Sequence, residues 1–537
     1  VLANNFNLQQ YKISFISIFT NQKPYMTSLF SASNIFELFI ESCKKFPQHP
    51  AIHINSTTYT YSQFLSIVSG IKKQITQSEI DTKLIGIYTD EHVNTYASIW
   101  SAMSLGAAYV PINMKHPNER AIAIMEEAEI AIMLYPEEND NILELKSKLS
   151  SKIKFICTKT DLSCKKDYDH KINDDDLIYL LFTSGSTGKP KGVPISHKNA
   201  WALAKIHQSS IYKICEDDRV LQMYELTFDL SAMSIMFPLC AGACIYVIPH
   251  EGLMYMEVLK ILIDHKITMA YMVPSAINFL QPYFEQISLP DIKWSLFCGE
   301  ALYHKTTSEW AKCTPNGKIL NTYGPTEATM YMTNYFWEEA TSDTFNGVIS
   351  IGKPIKDMGF IIIDENQKEL PAGEKGELCI YGPQTASHYW KDETKTKASF
   401  IQIEHESASL TAYRTGDLCF VNENGNYMFV GRVDHQVKIN GYRIELGEIE
   451  FHAKNFLPGH NLATFVVTNK ENHPSIYMVI ENFKHTNREL IDYLKEKVPS
   501  YMFPEKIFSI DQLPLNLNGK TDRNKLKEMF QKKNNTL

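Results

Sequence analysis

The sequence lacks the patterns of a zinc-finger, disulfide-stapled or membrane-spanning protein. Its ten cysteines are scattered, with no CxxC pair and no Cys/His cluster at zinc spacing. Cys240 and Cys244, close together in an apolar stretch, read as buried free thiols, and the set suits a reducing cytosol. Long hydrophobic runs are missing too. The apolar run at residues 13–19 is far too short to span a membrane, and its flanks show no small-residue cleavage pattern. Positive charge is not in excess: 53 Lys and Arg stand against 61 Asp and Glu, a net charge of -8. With no basic stripe either, the chain gains little from the phosphate attraction that drives nucleic-acid binding. There are no internal repeats, which argues against a solenoid. Low complexity is confined to a basic, Asn-rich tail after Gln531.

What is present is material for a large core. The chain has 537 residues, 44% of them hydrophobic, and 28 Tyr with 28 Phe to fill an interior rather than to stack bases. That length implies two or more domains, because single cores stop growing near roughly 250–300 residues. Short β-rich runs at residues 84–88, 178–182, 245–248, 269–273 and 295–298 alternate with amphipathic stretches such as 258–265 and 275–284. That rhythm predicts α/β layers with mostly parallel sheets. The polar stretch 136–176 reads as a surface segment between subdomains, ending in a solvated Asp174–Asp176 loop. From Gly352 onward turn signals crowd together around short strands at 359–363, 376–380 and 427–430, which predicts a small β-rich subdomain. After Arg432 a mixed stretch is long enough for a small domain of its own.

The strand at 178–182 runs into Thr183, Ser184, Gly185, Ser186, Thr187, Gly188, Lys189, Pro190, Lys191 and Gly192. The glycines let the backbone approach a ligand. Exposed N–H groups, four hydroxyls and two ammonium groups together make a polyphosphate cradle. It is not a Walker A loop, because Lys189 is followed by Pro190 and lies too near Gly185. It is not a nucleophile elbow, because the GxSxG order is missing.

The ten-residue string resembles the phosphate loop of the adenylate-forming superfamily, which includes acyl-CoA synthetases, luciferases and the adenylation domains of peptide synthetases. Further matches follow in the same order, from about Phe36 to Arg523. The string Asn321, Thr322, Tyr323, Gly324, Pro325, Thr326, Glu327 resembles the adenine and metal motif. The resemblance implies that Tyr323 stacks on adenine, Thr326 bonds the α-phosphate and Glu327 holds Mg²⁺, an ion that takes few protein carboxylates. Tyr413 to Asp417 resembles the ribose motif, with Asp417 as the ribose ligand. Gly431, Arg432, Val433, Asp434, then Lys438, Gly441, Tyr442, Arg443 and Glu448-Ile449-Glu450 resembles the hinge region. That implies Arg432 on the nucleotide and Asp434 as the pivot. Leu513 to Arg523 resembles the C-terminal lysine loop, with Lys520 after the tight-turn pair Asn518-Gly519.

The implied fold is a large N-terminal domain of two mixed α/β sheet subdomains plus a β-rich subdomain, at residues 28–432. It is hinged to a small, mobile α+β domain at residues 433–537. Residues 1–27 read as an N-terminal extension, with Met26 a candidate natural start.

Asp229 lies in the mostly apolar stretch Leu226-Thr227-Phe228-Asp229-Leu230-Ser231. A buried aspartate with no cation costs several kcal/mol or takes up a proton. In the amino-acid-activating branch an aspartate here binds the substrate's α-ammonium, and fatty acyl-CoA synthetases have no such need. The pocket positions of that branch fall on Asp229, Leu230, Met233, Tyr271, Leu296, Cys298, Thr322, Met330 and Tyr331, beside Gly299. The wall is apolar and bulky, which favours a small uncharged side chain. Residues Phe297 to Glu300 look like D-alanine–carrier-protein ligases, and Trp294 to Glu300 with Leu230 and Tyr271 also look like stand-alone prolyl-adenylating enzymes. Alanine, D-alanine and proline are therefore the expected substrates. Met330 and Tyr331 fit neither subfamily, where small residues stand.

The resemblance implies attack of the substrate carboxylate on the α-phosphorus of ATP, with pyrophosphate leaving in line and Mg²⁺, the loop and Lys520 neutralising charge. The acyl group is then expected to pass to a thiol. The C-terminal domain would rotate about Asp434 and open a tunnel past Gly441. No carrier domain or Ser-bearing pantetheine site follows Lys520, so a separate phosphopantetheinylated carrier protein is expected. The chain is expected to act in the cytoplasm as a monomer or weak dimer. One rival reading is an acyl- or aryl-CoA ligase of the same superfamily, against which Asp229 counts. A remoter one is a non-catalytic nucleotide-binding homologue, against which Lys520 and Glu327 count.

Overall fold

The computed structural model describes residues 32–534, apart from 114, 186–187, 210–211, 250–252, 406–407, 435, 470–472, 484–485 and 515–520. Two large sheets form the body. One has nine strands, from Lys353–Pro354 through Thr333–Trp337, Lys318–Asn321, Trp294–Phe297, Met269–Met272, Arg219–Gln222, Cys244–Val247 and Pro50–Ile54 to Thr57–Thr60. The six strands from Lys318–Asn321 to Pro50–Ile54 run parallel, and antiparallel strands close both edges. The second sheet has six strands, ordered Lys154–Cys157, Ile132–Tyr135, Leu84–Thr89, Ala108–Asn113, Leu177–Thr183, Lys191–Ser196, all parallel except the last. Strands such as Leu84–Thr89 and Ala108–Asn113 are buried along almost their whole length, which is why they read as unbroken apolar runs.

Helices fill the space around the sheets. Val93–Ser104 is buried at every residue. Asp229–Ala241 is apolar all round and ends at Gly242, whose φ of 86° supplies the left-handed cap. The β-rich part is a five-stranded antiparallel sheet. It includes the long strand Ala408–Val421 and the strand Phe400–His405 beside the three predicted ones.

Beyond it, Gln436–Ile439 and Tyr442–Glu445 form a hairpin. Its two-residue turn, Asn440-Gly441, has φ of 53° and 81°, the mirror-image geometry that matches strand twist. A three-stranded sheet follows, Leu462–Thr468, Pro474–Glu481 and Lys506–Ile510, with helices Leu446–Phe456, Asn487–Lys495 and Arg523–Asn534. Along Pro474–Glu481 the side chains alternate. Ile476, Met478 and Ile480 enter one core, Tyr477 and Val479 the other.

Four expectations change. The stretch 136–176 is not merely a surface connection: it supplies helix Asp140–Leu149 and the edge strand Lys154–Cys157, and Ile142, Leu145, Leu149 and Ile153 are buried. Its apolar residues recur at helical spacing, but charged neighbours mask them. Asp176 is not simply solvated, since it takes the Lys83 ammonium at 2.9 Å and the Asn173 N–H at 3.0 Å. The helix predicted over 275–284 is α-helical over Pro274–Leu280 and tightens into a 3₁₀ turn over Gln281–Gln286. Cys244 is buried, Cys240 only partly, and all ten cysteines are free. No helix among the described residues is long and apolar enough to cross a membrane.

Candidate active site

The predicted site residues gather where the parallel strands of the nine-stranded sheet end. Arg219–Gln222 leads to Asp229, Trp294–Phe297 to Cys298 and Gly299, and Lys318–Asn321 to Thr322 through Glu327. In open α/β sheets such carboxyl ends form the ligand crevice.

The phosphate loop is the turn of an antiparallel hairpin, with Thr183 paired to Lys191 across its base. Gly188 has a φ of 78° and donates its N–H to the Gly185 carbonyl at 3.0 Å. A Cβ at Gly185 would sit 2.1 Å from the Lys189 carbonyl, so the tight turn requires glycine there. Lys189 is exposed. Ser186 and Thr187 lie outside the described residues, as does Lys520.

Glu327 is completely buried, on the short 3₁₀ turn Thr326–Ala328. One oxygen accepts from the Arg443 guanidinium at 2.7 Å. The other accepts from the Tyr389 hydroxyl at 2.7 Å and faces the Lys191 ammonium at 3.3 Å. Burial alone would push this carboxyl up, but Arg443, Lys191 and Tyr389 outweigh it and hold it well below the usual range. Burial pushes Lys191 down to about 8, helped by Arg443 and opposed by Glu327. Lys191, expected on the polyphosphate, is thus engaged with Glu327.

Among the described residues no group of three or more His, Cys, Asp or Glu could hold a metal ion. A divalent cation would depend on Glu327 together with phosphate oxygens, a donor set that suits Mg²⁺. The buried, ionised carboxylate fits that role only when Arg443 is elsewhere.

A cavity of about 300 Å³ is lined by Tyr323, Gly324, Ile351, Asp417, Arg432 and Lys438, together with Asn321, Thr322 and Gly299. It is the size of a nucleoside. The Tyr323 hydroxyl donates to Asp417 at 2.5 Å, and the Lys438 ammonium lies 5.7 Å over the Tyr323 ring. Arg432 bonds Asp417 and Asp434, each at 2.6 Å. Those pairs place the predicted adenine, ribose and hinge residues in one network.

Asp229 opens its helix and is 7% exposed, bordering two small cavities of about 50 Å³ each. One is shared with Leu230, Cys298, Gly299, Thr326 and Gly441, the other with Thr183, Ser184, Thr326 and Arg443. Burial raises its carboxyl to about 6, and bonds from Thr326 and the Leu230 N–H only partly offset that. Met233, Tyr271, Leu296, Met330 and Tyr331 are all buried to within 1% but line neither small cavity. The Tyr331 hydroxyl meets that of Tyr212, and the Tyr271 hydroxyl is 3.5 Å from His207 Nε2. Thr329 and Met330 have φ of 58° and 73°, and the buried Gln384 amide clamps this turn by donating to the Tyr331 carbonyl at 2.9 Å. The bulky residues read from the sequence as a pocket wall are packed in the interior, where their tyrosine hydroxyls meet Tyr212 and His207.

Sequence reasoning named Arg443 and Glu448 in a motif but gave them no task. Ser184 donates to the Arg443 carbonyl at 2.7 Å, the Gly185 N–H donates to Glu448 at 3.2 Å, and Glu448 pairs with Arg120. The Gly441 N–H donates to Glu300 at 2.9 Å, and a Cβ there would strike Val273 at 2.7 Å. Tyr442 stacks on Tyr501 at 3.8 Å. The hairpin is therefore seated on the phosphate loop and beside Asp229. Glu300 stood in a motif without a task, and Tyr389, Tyr212 and His207 gave no signal of their own, because partners such as Glu327, Tyr331 and Tyr271 lie far away in sequence.

A family model described as AMP-binding enzyme matches residues 39–390, more than half the chain. Bacitracin synthase 1 of Bacillus licheniformis is 30% identical over 92% of this chain, which spans 9% of that protein's length. Two solved structures share the fold. The Vibrio cholerae adenylation domain AlmE in complex with glycyl-adenosine-5'-phosphate has a TM-score of 0.81 at 24% identity, over 93% of this chain and 98% of that one. Holo-PA1221, an NRPS protein containing adenylation and PCP domains, has a TM-score of 0.79 at 22% identity, over 92% of this chain and 84% of that one.

Proposed function

The chain belongs to the AMP-binding enzymes, the adenylate-forming ligases, and from that premise we propose that it activates a small neutral amino acid with ATP. The product is an aminoacyl-AMP, with pyrophosphate released. Alanine, as either enantiomer, and proline are the substrates this reading names. The acyl group then passes to the phosphopantetheine thiol of a carrier protein, a partner that the adenylation–PCP pairing of the structural neighbour supports.

Asp229 carries the reading. It is a buried carboxylate bordering two small cavities, with its carboxyl raised by burial to about 6. An α-ammonium group bound there would supply the charge that the site withholds. The adenosine would lie against Tyr323 with its ribose hydroxyls on Asp417 and Arg432 nearby, in the cavity of about 300 Å³. Thr326, one residue from Glu327, would orient the α-phosphate. Mg²⁺ on Glu327 would neutralise phosphate charge, and Lys520 would bridge the carboxylate and the α-phosphate. Catalysis is then positioning and charge neutralisation.

ATP–pyrophosphate exchange against the twenty L-amino acids, D-alanine and a few fatty and aryl acids tests this. Exchange confined to small amino acids is expected. Strong exchange with aryl or fatty acids alone would point to a CoA ligase, and none with any acid would end the enzymatic reading.

A further inference from the structure

Open space lies behind the tyrosines read as the acyl-pocket wall, and two residues stand between. Tyr331 is backed by Tyr212, hydroxyl to hydroxyl, and Tyr271 by His207, whose Nε2 is 3.5 Å from the phenol oxygen. The His207 ring stands edge-on to Tyr212 with centroids 5.1 Å apart, and lies 4.5 Å from the Phe237 ring. All three tyrosines are fully buried. On its other side His207 lines a cavity of about 450 Å³, larger than the nucleoside-sized one. Ala204, Phe237 and Ala241 line it too, as do the exposed Lys45, Lys213 and Glu216, which bring it to the protein surface.

One helix joins the two places. Asp229, Met233, Phe237 and Ala241 recur at four-residue intervals along Asp229–Ala241, so they share a face. Asp229 borders the two small cavities, while Phe237 and Ala241 line the large one. At 1.5 Å of rise per residue, Phe237 stands about 12 Å along the axis from Asp229. A side chain running along this face from an ammonium group on Asp229 meets the Tyr271–His207 layer before it meets open space. The chemistry of His207 suits a partition. Burial pushes its imidazole down to about 3, so it is neutral at pH 7 and brings no second cation toward Asp229. Its contact with Tyr271, and that of Tyr212 with Tyr331, give the buried hydroxyls polar partners.

We propose that His207 and Tyr212 are specificity-determining residues: they hold Tyr271 and Tyr331 as a closed partition between the acyl site and the rear cavity, and that partition sets the length of side chain accepted. This deepens, and rests on, the reading that an amino acid is anchored on Asp229. Both act through the tyrosines, so they are positioning residues. A smaller residue at 207 gives the Tyr271 ring room to tip back and joins the acyl site to the cavity behind it. A long unbranched apolar side chain then has space that the intact partition denies it. The small-substrate limit is thus a property of two layers of residues, of which the second is set by the helix His197–Ser209 and the segment just after it.

Pyrophosphate exchange by the full chain with alanine and with norleucine reads the partition as a ratio of kcat/KM values. The unmodified chain should favour alanine. His207→Ala should raise norleucine relative to alanine by about tenfold, the scale of added methylene contacts, and chiefly through a lower KM for norleucine. Ala204→Leu lies one turn earlier on the same helix and lines the same cavity. Alone it should leave the ratio as in the unmodified chain, and added to His207→Ala it should return the ratio toward that value by refilling the space. Tyr212→Phe keeps the ring and removes the hydroxyl that holds Tyr331, so it tests the same partition without emptying it. It should raise the ratio by about threefold, the scale of one lost hydrogen bond. General damage to the fold lowers both substrates together and does not raise one over the other. Alanine use by the unmodified chain, with an unchanged ratio in His207→Ala and Tyr212→Phe, would overturn the proposal and leave the parent reading standing. A gain in His207→Ala that Ala204→Leu does not reverse would overturn it as well. Absence of exchange with any amino acid in the unmodified chain would overturn the parent reading and this proposal with it.

Discussion

Glu327 and Asp229 lie in one cleft, both buried, both carboxylates, and the chain treats them in opposite ways. Around Glu327 it places Arg443, Lys191 and the Tyr389 hydroxyl, and these hold the carboxyl well below its usual range. Around Asp229 it places Thr326, the Leu230 N–H and the weaker pull of Lys438, which do not outweigh burial, and the carboxyl rises to about 6. A buried charge unpaired by its own chain is costly, so a fold keeps one where something else will complete it. At Glu327 the completing cations, Arg443 and Lys191, are internal in this arrangement. At Asp229 the proposed reading leaves that role to the substrate's ammonium group.

The comparison can be broken from several directions. The largest effect is expected from Lys520→Ala. Amino-acid-dependent pyrophosphate exchange should fall by about 10²–10³-fold, the scale of losing one transition-state donor, with an unchanged thermal midpoint. Near-normal exchange would remove Lys520 from the mechanism. Next is Asp229→Ala, which should raise KM for the amino acid by about 100-fold and leave KM for ATP nearly unchanged. An equal rise in both would mean that Asp229 shapes the cleft rather than binding the ammonium.

A pH series sharpens the same point. Only the ionised carboxylate attracts an ammonium group, and Asp229 gains its proton as pH falls through about 6. The kcat/KM for amino acid should therefore hold near pH 7 and drop about tenfold per unit well below 6. Asp229→Asn should lack that limb, and a limb that survives the substitution belongs to another group. The smallest effect concerns the wall. Tyr331→Leu should keep the fold while relieving the contact with Tyr212, and raise leucine relative to alanine in kcat/KM by about tenfold, the worth of a few methylenes of space. An unchanged ratio would place the size limit elsewhere.

The fold was legible in the sequence where the pattern is local. Unbroken apolar strands such as Leu84–Thr89, and the crowded turn signals around Gly359–Ile363, Gly376–Tyr381 and Tyr427–Arg432, state their structure within a few positions. Helix Asp140–Leu149 was missed because its buried Ile142, Leu145 and Leu149 stand among charged residues, so the stretch reads as surface. In the site, Tyr323, Asp417 and Arg432 were legible through motifs, and the structure brings them to one cavity. Lys191 was read as a phosphate ligand, while its bond to Glu327 depends on a distant segment folding beside it. Arg443 stood in a recognised motif, yet its partner lies more than a hundred positions earlier. Periodicity and spacing carry no information about such pairs, which arise only when distant segments fold together.

The most direct measurement is discrimination between an acid with an α-ammonium group and its isostere without one. Pyrophosphate exchange is measured with alanine and with propionate, in the unmodified chain and in Asp229→Asn. The account predicts that the unmodified chain favours alanine by about 100-fold in kcat/KM, and that the substitution erases most of that preference. Equal use of both acids by the unmodified chain, or a preference that survives Asp229→Asn, would contradict it.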